Sequence, residues 1–224
     1  MKLIHPKISY QIIFKENITN VIVIENPIIF RDFIEELIKQ CSGEEGEFLL
    51  SENEDEIDIS KNVELVIDYF ALEFNQKKIL TKVYNYLKTV SQQDNNYLKT
   101  NELQIEIFQY LEELISFSEY PLVHSAEVDI ISIFKAAEIK LETNHETILE
   151  KLIEYINIVQ EFCGISCIVF VNLKSYLTEE ELKQLYTHAS YKKVHIILLE
   201  GRLYNRIPDL EKIFILDEDL CEIY

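Results

Sequence analysis

The stretch SCIVFVNLKSYLTEEELKQL, residues 166–185, decides the fold class of this 224-residue chain. It begins with the apolar run 167–171, rich in β-branched residues, which is typical of a strand buried on both faces in a parallel sheet. Thr178 and Glu181 then form a capping-box pattern, in which each side chain accepts a backbone N–H at the start of a helix. The stretch therefore predicts a strand, a loop and a helix.

A second apolar run, residues 194–199, follows at the spacing of a βαβ unit and predicts a neighbouring parallel strand. Near the start of the chain, residues 21–24 predict another buried strand. Asn26 can cap the helix that follows, and Pro27 suits its first position because the missing N–H would be unpaired there. Further strands are predicted at residues 7–14 and 212–216.

The loop after the strand at residues 21–24 lacks the chemistry of a phosphate-binding loop. Such a loop reads G-x-x-x-x-G-K-[ST], because its glycines let backbone N–H groups wrap the phosphates and its lysine neutralises them. Glu25-Asn26-Pro27 contains neither residue type, and the whole chain has only four glycines. We expect a degenerate P-loop-NTPase-like parallel sheet head that binds no nucleotide.

Residues 60–117 change to helical spacing. Their first predicted helical face carries five apolar residues: Val63, Val66, Ile67, Phe70 and Phe74. Asn101, with Gln104 three residues on, is a candidate cap for a later helix. Thr143 with Glu146 is a candidate capping box for the helix that leads into the strand at 167–171. The predicted fold is α/β: a head formed by residues 1–59 and 143–224, with an all-helical domain inserted at residues 60–142.

The composition is acidic, with 40 acidic and 21 basic residues and a net charge of −19. That charge alone argues against non-specific adhesion to DNA or to an anionic membrane. The four cysteines form no C-x-x-C pair, and Cys167 is expected to be a buried thiol in a strand. We predict a cytoplasmic protein without membrane contact, because no run approaches membrane-spanning length and the first residues have no signal-peptide core.

Two charged stretches each permit two interpretations. Residues 43–58 hold eight acidic and no basic residues, which fits a solvated loop or hairpin, or a cation site. The predicted helical domain carries several exposed lysines, which fit either ordinary solubilising charge or a stripe for phosphates. These lysines are Lys77, Lys78, Lys82, Lys88 and Lys99.

Three groups of motifs, in order and spacing, together resemble one family. They are FKA at 134–136 with IKLE at 139–142 and TILEK at 147–151; VFVN at 169–172 with YLTEEE at 176–181; and LE at 199–200 with Arg202 and ILDED at 215–219. They resemble the small adaptation protein of type II-A CRISPR systems. The resemblance covers residues 127–224, and no single motif in it is diagnostic.

The resemblance implies a ring-forming protein of antiviral defence. Its members have a P-loop-like head without a working phosphate loop, and they form a homotetramer with a basic inner wall around double-stranded DNA ends. Calcium held by carboxylates stabilises the ring. The family supports spacer acquisition beside the CRISPR integration proteins and the effector nuclease, without catalysis of its own. An acidic chain can bind DNA in this way because local lysines act within a Debye length.

Carried over to this sequence, the resemblance implies two sets of site residues. The DNA-binding candidates are Lys135 and Lys140, followed by Lys77, Lys78 and Lys82. The calcium candidates, whose hard oxygen atoms suit that ion, are Glu127, Asp129, Glu138 and Glu142.

Two alternatives remain open. Asp129 with Glu138-Ile139-Lys140 has the form of a metal-dependent nuclease site, in which two carboxylates hold magnesium and the lysine orients water. That motif normally lies on strands, whereas residues 130–137 have helical spacing. The second alternative is an acidic scaffold that does not bind nucleic acid.

Overall fold

The computed structural model of the protein describes residues 1–125 and 127–224, which divide into two compact units. The first unit comprises residues 1–73 and 144–224, and the second comprises residues 74–143. The strands of the described chain all lie in the first unit, and the second unit is built from helices. The fold is therefore mixed α/β.

The first unit contains two sheets and four helices. Its strands are β1 (Lys2–Ile4), β2 (Ile12–Ile13), β3 (Thr19–Ile24), β4 (Leu49–Glu52), β5 (Asp55–Ile57), β6 (Val63–Val66), β7 (Cys167–Val171), β8 (His195–Glu200), β9 (Glu211–Leu216) and β10 (Glu222–Ile223). Its helices are α1 (Pro27–Cys41), α2 (Ile59–Asn62), α6 (Ile148–Cys163) and α7 (Glu179–Tyr191). The larger sheet has the order β10-β9-β3-β8-β7-β6, and a smaller antiparallel sheet has the order β2-β1-β4-β5.

The central βαβ unit predicted from residues 166–199 is confirmed. Strands β7 and β8 pair in parallel, with Val169 opposite Ile197. The five side chains of β7 are buried, and each large apolar one contributes roughly 1.5–3 kcal/mol to stability. The Thr178 hydroxyl accepts the Glu181 N–H at 3.3 Å, and the Glu181 carboxylate accepts the Thr178 N–H at 2.8 Å.

The strand predicted at residues 21–24 is also confirmed, with the loop and helix that follow it, whereas the strand predicted at residues 7–14 is reduced to Ile12–Ile13 in β2. Strand β3 is completely buried and lies between β8 and β9, parallel to both. Helix α1 begins at Pro27, and the Asn26 side chain accepts the N–H groups of Ile28 and Ile29 at 3.1 and 3.2 Å. The acidic stretch 43–58 contains the β4–β5 hairpin, and Cys167 is buried, as expected.

The helix predicted across residues 63–74 is wrong: residues 63–66 form strand β6, and residues 67–74 contain no helix before α3 begins at Lys77. This strand pairs in parallel with β7, with Leu65 opposite Val169. The spacing of Val63 and Val66 fits a helix, but the open edge of β7 offers a hydrogen-bond ladder, and sheet context outweighs local spacing. The second compact unit begins at residue 74, whereas the sequence places the start of the helical domain at residue 60.

Two predicted helix starts also differ from the structure. Helix α6 begins after Thr147, whose hydroxyl accepts the Glu150 N–H at 3.2 Å. Thr143 and Glu146 have the same spacing but lie one turn too early for the buried face of α6. Asn101 lies inside a continuous helix rather than at its start.

The second unit contains α3 (Lys77–Ser91), α4 (Asp94–Ser116) and α5 (Ile130–Ala136). Helix α3 buries Ile79, Val83 and Tyr84, and both other helices pack against it. Helix α4 buries no residue along its 23-residue length. Among the helices described, none has the length and apolar content needed to cross a membrane.

Candidate nucleic-acid interface

Helix α3 concentrates positive charge. Its sequence, KKILTKVYNYLKTVS, contains four lysines and no acidic residue. Ile79, Val83 and Tyr84 define the buried side, whereas Lys77, Lys78 and Lys82 are exposed. In a chain with a net charge of −19, this helix is a local cationic surface.

The start of α3 favours a negatively charged ligand. Its N-cap residue, Gln76, makes no side-chain capping hydrogen bond, and Lys77 and Lys78 occupy the first turn. Lysine charges here have the same sign as the positive end of the helix dipole, so each lysine destabilises the helix by about 0.3–1 kcal/mol. A phosphate beside this turn would be attracted both by the lysines and by the positive end of the helix dipole.

The segment after α5 is fastened beside the start of α3. The Asn75 carboxamide accepts the Leu141 N–H at 2.9 Å and donates to the Leu141 carbonyl at 3.1 Å. The Tyr84 hydroxyl donates to the Ile139 carbonyl at 3.0 Å. These bonds place Lys140 next to the first turn of α3.

Lys135 and Lys140 thus belong to the same part of the second unit as Lys77, Lys78 and Lys82. Lys135 lies in the last turn of α5, which packs against α3. Lys140 approaches Glu138 to 3.4 Å, but both side chains are exposed, and such a pair contributes little to stability. We use the name α3 surface for this set of five exposed lysines.

Glu138 ends α5 in an unusual backbone conformation. Its φ angle is 52°, and the Ile139 N–H closes the helix by donating to the Phe134 carbonyl at 3.1 Å. Glycine usually occupies this left-handed position, and another residue costs about 1 kcal/mol there.

The four predicted calcium ligands fall into two pairs. Glu127 and Asp129 precede α5, whereas Glu138 and Glu142 follow it. At 1.5 Å per residue, Asp129 and Glu138 are about 13 Å apart along the helix, too far to share one ion. Within residues 1–125 and 127–224, none of the four belongs to a group of three possible metal ligands.

Asp129 has a structural role that does not depend on a metal. Its carboxylate caps α5 by accepting the Ser132 N–H and hydroxyl, each at 3.1 Å. Slight burial acts against ionisation, but these hydrogen bonds outweigh it and hold the pKa of Asp129 below its ordinary value.

The described residues contain one compact set of possible metal ligands, and the sequence did not indicate it. His5, Glu36 and Glu47 have ligand atoms within 4.8 Å of one another. However, His5 Nδ1 accepts the Lys7 N–H at 3.2 Å, so the ring proton lies on Nε2 and points to Glu36 at 3.2 Å. A metal would need the Nε2 lone pair, so this set suits a hydrogen-bonded clamp better than an ion.

The start of α1 has no free N–H for a phosphate. Pro27 has none, the N–H groups of Ile28 and Ile29 bind the Asn26 side chain, and the Phe30 N–H binds the Asn26 carbonyl at 3.0 Å. A phosphate at a helix start needs these N–H groups.

A buried charged network lies near the carboxyl end of β8. Lys174 Nζ donates to Glu211 at 2.7 Å, and the Tyr186 hydroxyl donates to the same carboxylate at 2.8 Å. Glu200 accepts the Lys174 N–H at 3.0 Å, but its Oε2 has no hydrogen-bond partner among the described residues. Burial raises the pKa of Glu200 to about 7, against the opposing hydrogen bond from Lys174.

Comparison with known proteins decides the family. The family model described as CRISPR-associated protein (Cas_Csn2) matches residues 40–220. The chain belongs to the Csn2 family. This confirms the resemblance, and the matched range extends beyond it to include α3 and the lysines of the α3 surface.

Two curated Csn2 relatives are similar over most of their length. The CRISPR-associated protein Csn2 of Streptococcus agalactiae is 28% identical over 159 residues, which cover 69% of this chain and 68% of the relative. The CRISPR-associated protein Csn2 of Enterococcus faecalis is 27% identical over 164 residues, or 71% of each chain. As a Csn2-family member, the chain is a CRISPR adaptation protein.

Proposed function

We propose that this Csn2-family chain binds the ends of double-stranded DNA, independently of sequence, as a homotetrameric ring during spacer acquisition. The observation that carries the proposal is α3, with four lysines and no acidic residue in a strongly acidic chain. Lysine contacts to phosphates release counterions and carry no sequence information. Binding at the α3 surface is therefore independent of sequence and weakens with salt.

Helix α4 supports self-association. It buries no residue in the single chain, although it carries many large apolar side chains. Those more than a third exposed are Tyr97, Leu98, Leu103, Ile105, Tyr110, Leu111 and Leu114. Exposed apolar surface of this extent is typical of a protein interface. Further copies of the chain would cover it, and the closed ring of four follows the resemblance to the type II-A adaptation family.

Calcium, in this proposal, stabilises the ring rather than the single subunit. Carboxylate oxygens suit the ion, but each pair beside α5 offers only two side chains, and calcium takes six to eight oxygen ligands. Glu127 and Asp129, or Glu138 and Glu142, would hold calcium together with water and groups from a second copy.

We also infer that the head is a degenerate P-loop-like domain, with the helical unit inserted in its sequence, and that the protein neither hydrolyses ATP nor cleaves DNA. The N–H groups at the start of α1 already have hydrogen-bond partners, and this supports the inference that the protein does not hydrolyse ATP. The separation of Asp129 from Glu138 by the length of α5 argues against the nuclease alternative, since two carboxylates must share one metal ion. The integration proteins and the effector nuclease would supply the chemistry.

A matched pair of variants tests the proposal. Lys77→Ala, Lys78→Ala and Lys82→Ala together remove three charges from the α3 surface, and Lys39→Ala, Lys61→Ala and Lys183→Ala remove three from the first unit. We expect the first variant to lose at least about tenfold in affinity for a linear duplex, and the second to lose much less.

The topology of the DNA separates a ring from the alternatives. A ring predicts binding to linear duplex, weakened by salt, and little binding to closed circles. Equal affinity for both forms, or equal effects of the two triple variants, would overturn the proposal. No binding to any duplex would favour the acidic scaffold, and magnesium-dependent cleavage abolished by Glu138→Ala would favour the nuclease.

A further inference from the structure

The first unit has a cavity at the amino-terminal edge of its larger sheet. The cavity measures about 410 Å³ and is lined by the residues that lead into β3 and by the end of α7 with the turn into β8. This volume lies in the range of small-molecule sites. The cavity is formed by residues of the first unit and does not involve the α3 surface.

The lining is cationic, in contrast to the chain as a whole. Lys15 and Lys193 line the cavity and are exposed. Across the described residues, neither ammonium group has an ion-pair partner. Glu16 carries the only carboxylate among the described lining residues. Two unpaired lysines facing one space form a local site for an anion.

Lys193 has a left-handed backbone conformation that favours glycine. Its φ angle is 57°, and the Val194 N–H closes α7 by donating to the Ala189 carbonyl at 2.9 Å. A lysine in this left-handed conformation costs about 1 kcal/mol relative to glycine. The residue therefore places a positive charge at the cavity wall at some expense of stability.

Two further side chains suit a ligand with an organic part. Tyr191 lines the cavity and is 83% exposed, so its ring is available for contact. His195 also lines the cavity and packs against Phe14, with ring centroids 4.9 Å apart. Burial, and then the amino group of Met1, lower the pKa of His195 against the opposing charges of Glu52 and Glu16.

We propose that this cavity binds a small phosphate monoester, with the phosphate between Lys15 and Lys193 and the organic part beside Tyr191. Two ammonium groups match the charge of the dianion, and lysine binds phosphate as a point charge. This site is separate from the α3 surface and from the start of α1, where no free N–H remains for a phosphate.

Titration calorimetry of the full chain with four probes tests the chemistry: AMP, ribose 5-phosphate, inorganic phosphate and adenosine. We expect AMP to bind with a Kd below about 1 mM, and adenosine to bind at least about tenfold more weakly. If ribose 5-phosphate binds as tightly as AMP, the phosphate group is sufficient for binding. If AMP binds more tightly, its base adds a contact with the Tyr191 ring. Both results support the proposal. Absence of AMP binding, or adenosine binding as tight as AMP, would overturn it.

Lys193→Gly locates the site without endangering the fold, because glycine suits that backbone conformation. We expect this variant and Lys15→Ala each to weaken AMP binding about tenfold or more. Lys192→Ala is the control, since Lys192 is adjacent in sequence but does not line the cavity. Unchanged AMP affinity in Lys193→Gly would overturn the assignment. Duplex affinity should be unchanged in Lys193→Gly, so failure of this site and failure of DNA binding can be distinguished.

Discussion

The Asn75 carboxamide makes two hydrogen bonds with the backbone of Leu141, 66 residues further along the chain. It thereby joins the chain two residues before the start of α3 to the segment that carries Lys140. The two parts of the α3 surface, far apart in sequence, are held together by this side chain and by the Tyr84 hydroxyl, which donates to the Ile139 carbonyl.

Replacement of Asn75 by alanine should separate these parts. Two hydrogen bonds are lost, one from a partly buried backbone N–H, and we expect the free energy of unfolding to fall by about 1–3 kcal/mol. Duplex affinity should fall as well, because Lys140 loses its fixed position beside α3. Urea unfolding and duplex titration measure the two effects.

Tyr84→Phe is the matched comparison for Asn75→Ala. It removes one hydrogen bond, to the Ile139 carbonyl, and should cost about 0.5–1.5 kcal/mol. An Asn75→Ala variant with unchanged stability and unchanged DNA affinity would show that this clamp does not organise the surface.

Glu200 should make the stability of the protein depend on pH. Its pKa rises from 4.5 to about 7 on folding because of burial, so the folded state holds the proton more tightly than the unfolded chain. The resulting stability is fully present below pH 4.5 and is lost as the pH rises to about 7. At 1.36 kcal/mol per pKa unit, the loss is at most about 3 kcal/mol.

Glu200→Gln should therefore be more stable than the parent at pH 8 by up to about 3 kcal/mol, and similar to it near pH 4.5. Urea unfolding at both pH values makes the comparison. Parallel pH profiles for the parent and the variant would mean that Glu200 does not hold a proton in the folded state.

Glu138→Gly should stabilise the protein by about 1 kcal/mol, because glycine adopts the left-handed conformation at the end of α5 without strain. It also removes a negative charge beside Lys140 and should increase duplex affinity measured in the absence of calcium. Thermal unfolding and duplex titration are the measurements, and Glu142→Gln is the control that removes a nearby charge without changing the backbone. A destabilised Glu138→Gly variant would mean that the carboxylate makes a favourable contact.

Calcium removal should weaken the assembly if the carboxylates around α5 bind the ion. Asp129→Asn keeps a good helix cap but removes the charge, so it should reduce the calcium dependence of the assembled mass without a large loss of stability. Sedimentation with calcium and with a chelator tests this. A calcium dependence equal to that of the parent would remove Asp129 from the ligands.

Local sequence signals predicted the parts of the fold whose hydrogen bonds are local. The cap formed by Thr178 and Glu181 and the start of α1 at Asn26 depend on partners within three residues. Strand β6 could not be predicted in this way, since its conformation depends on pairing with β7, whose partner residues lie 104 positions further along the chain.

The candidate site likewise has some features that the local sequence predicts and others that depend on contacts between distant residues. The absence of acidic residues from α3 is visible in the sequence, and so are its lysines. The bonds from Asn75 to Leu141, and the meeting of His5 with Glu36 and Glu47, join distant residues and have no local signal. Choosing Thr147 over Thr143 likewise required knowing which face of α6 is buried.

The mass of the particle in solution, measured with a short linear duplex and with a closed circle of the same sequence, tests the ring most directly. We predict a particle of four chains on the linear duplex, lost at high salt, and little stable complex on the circle. A single chain at every concentration, with no response to duplex ends, would contradict the proposed function.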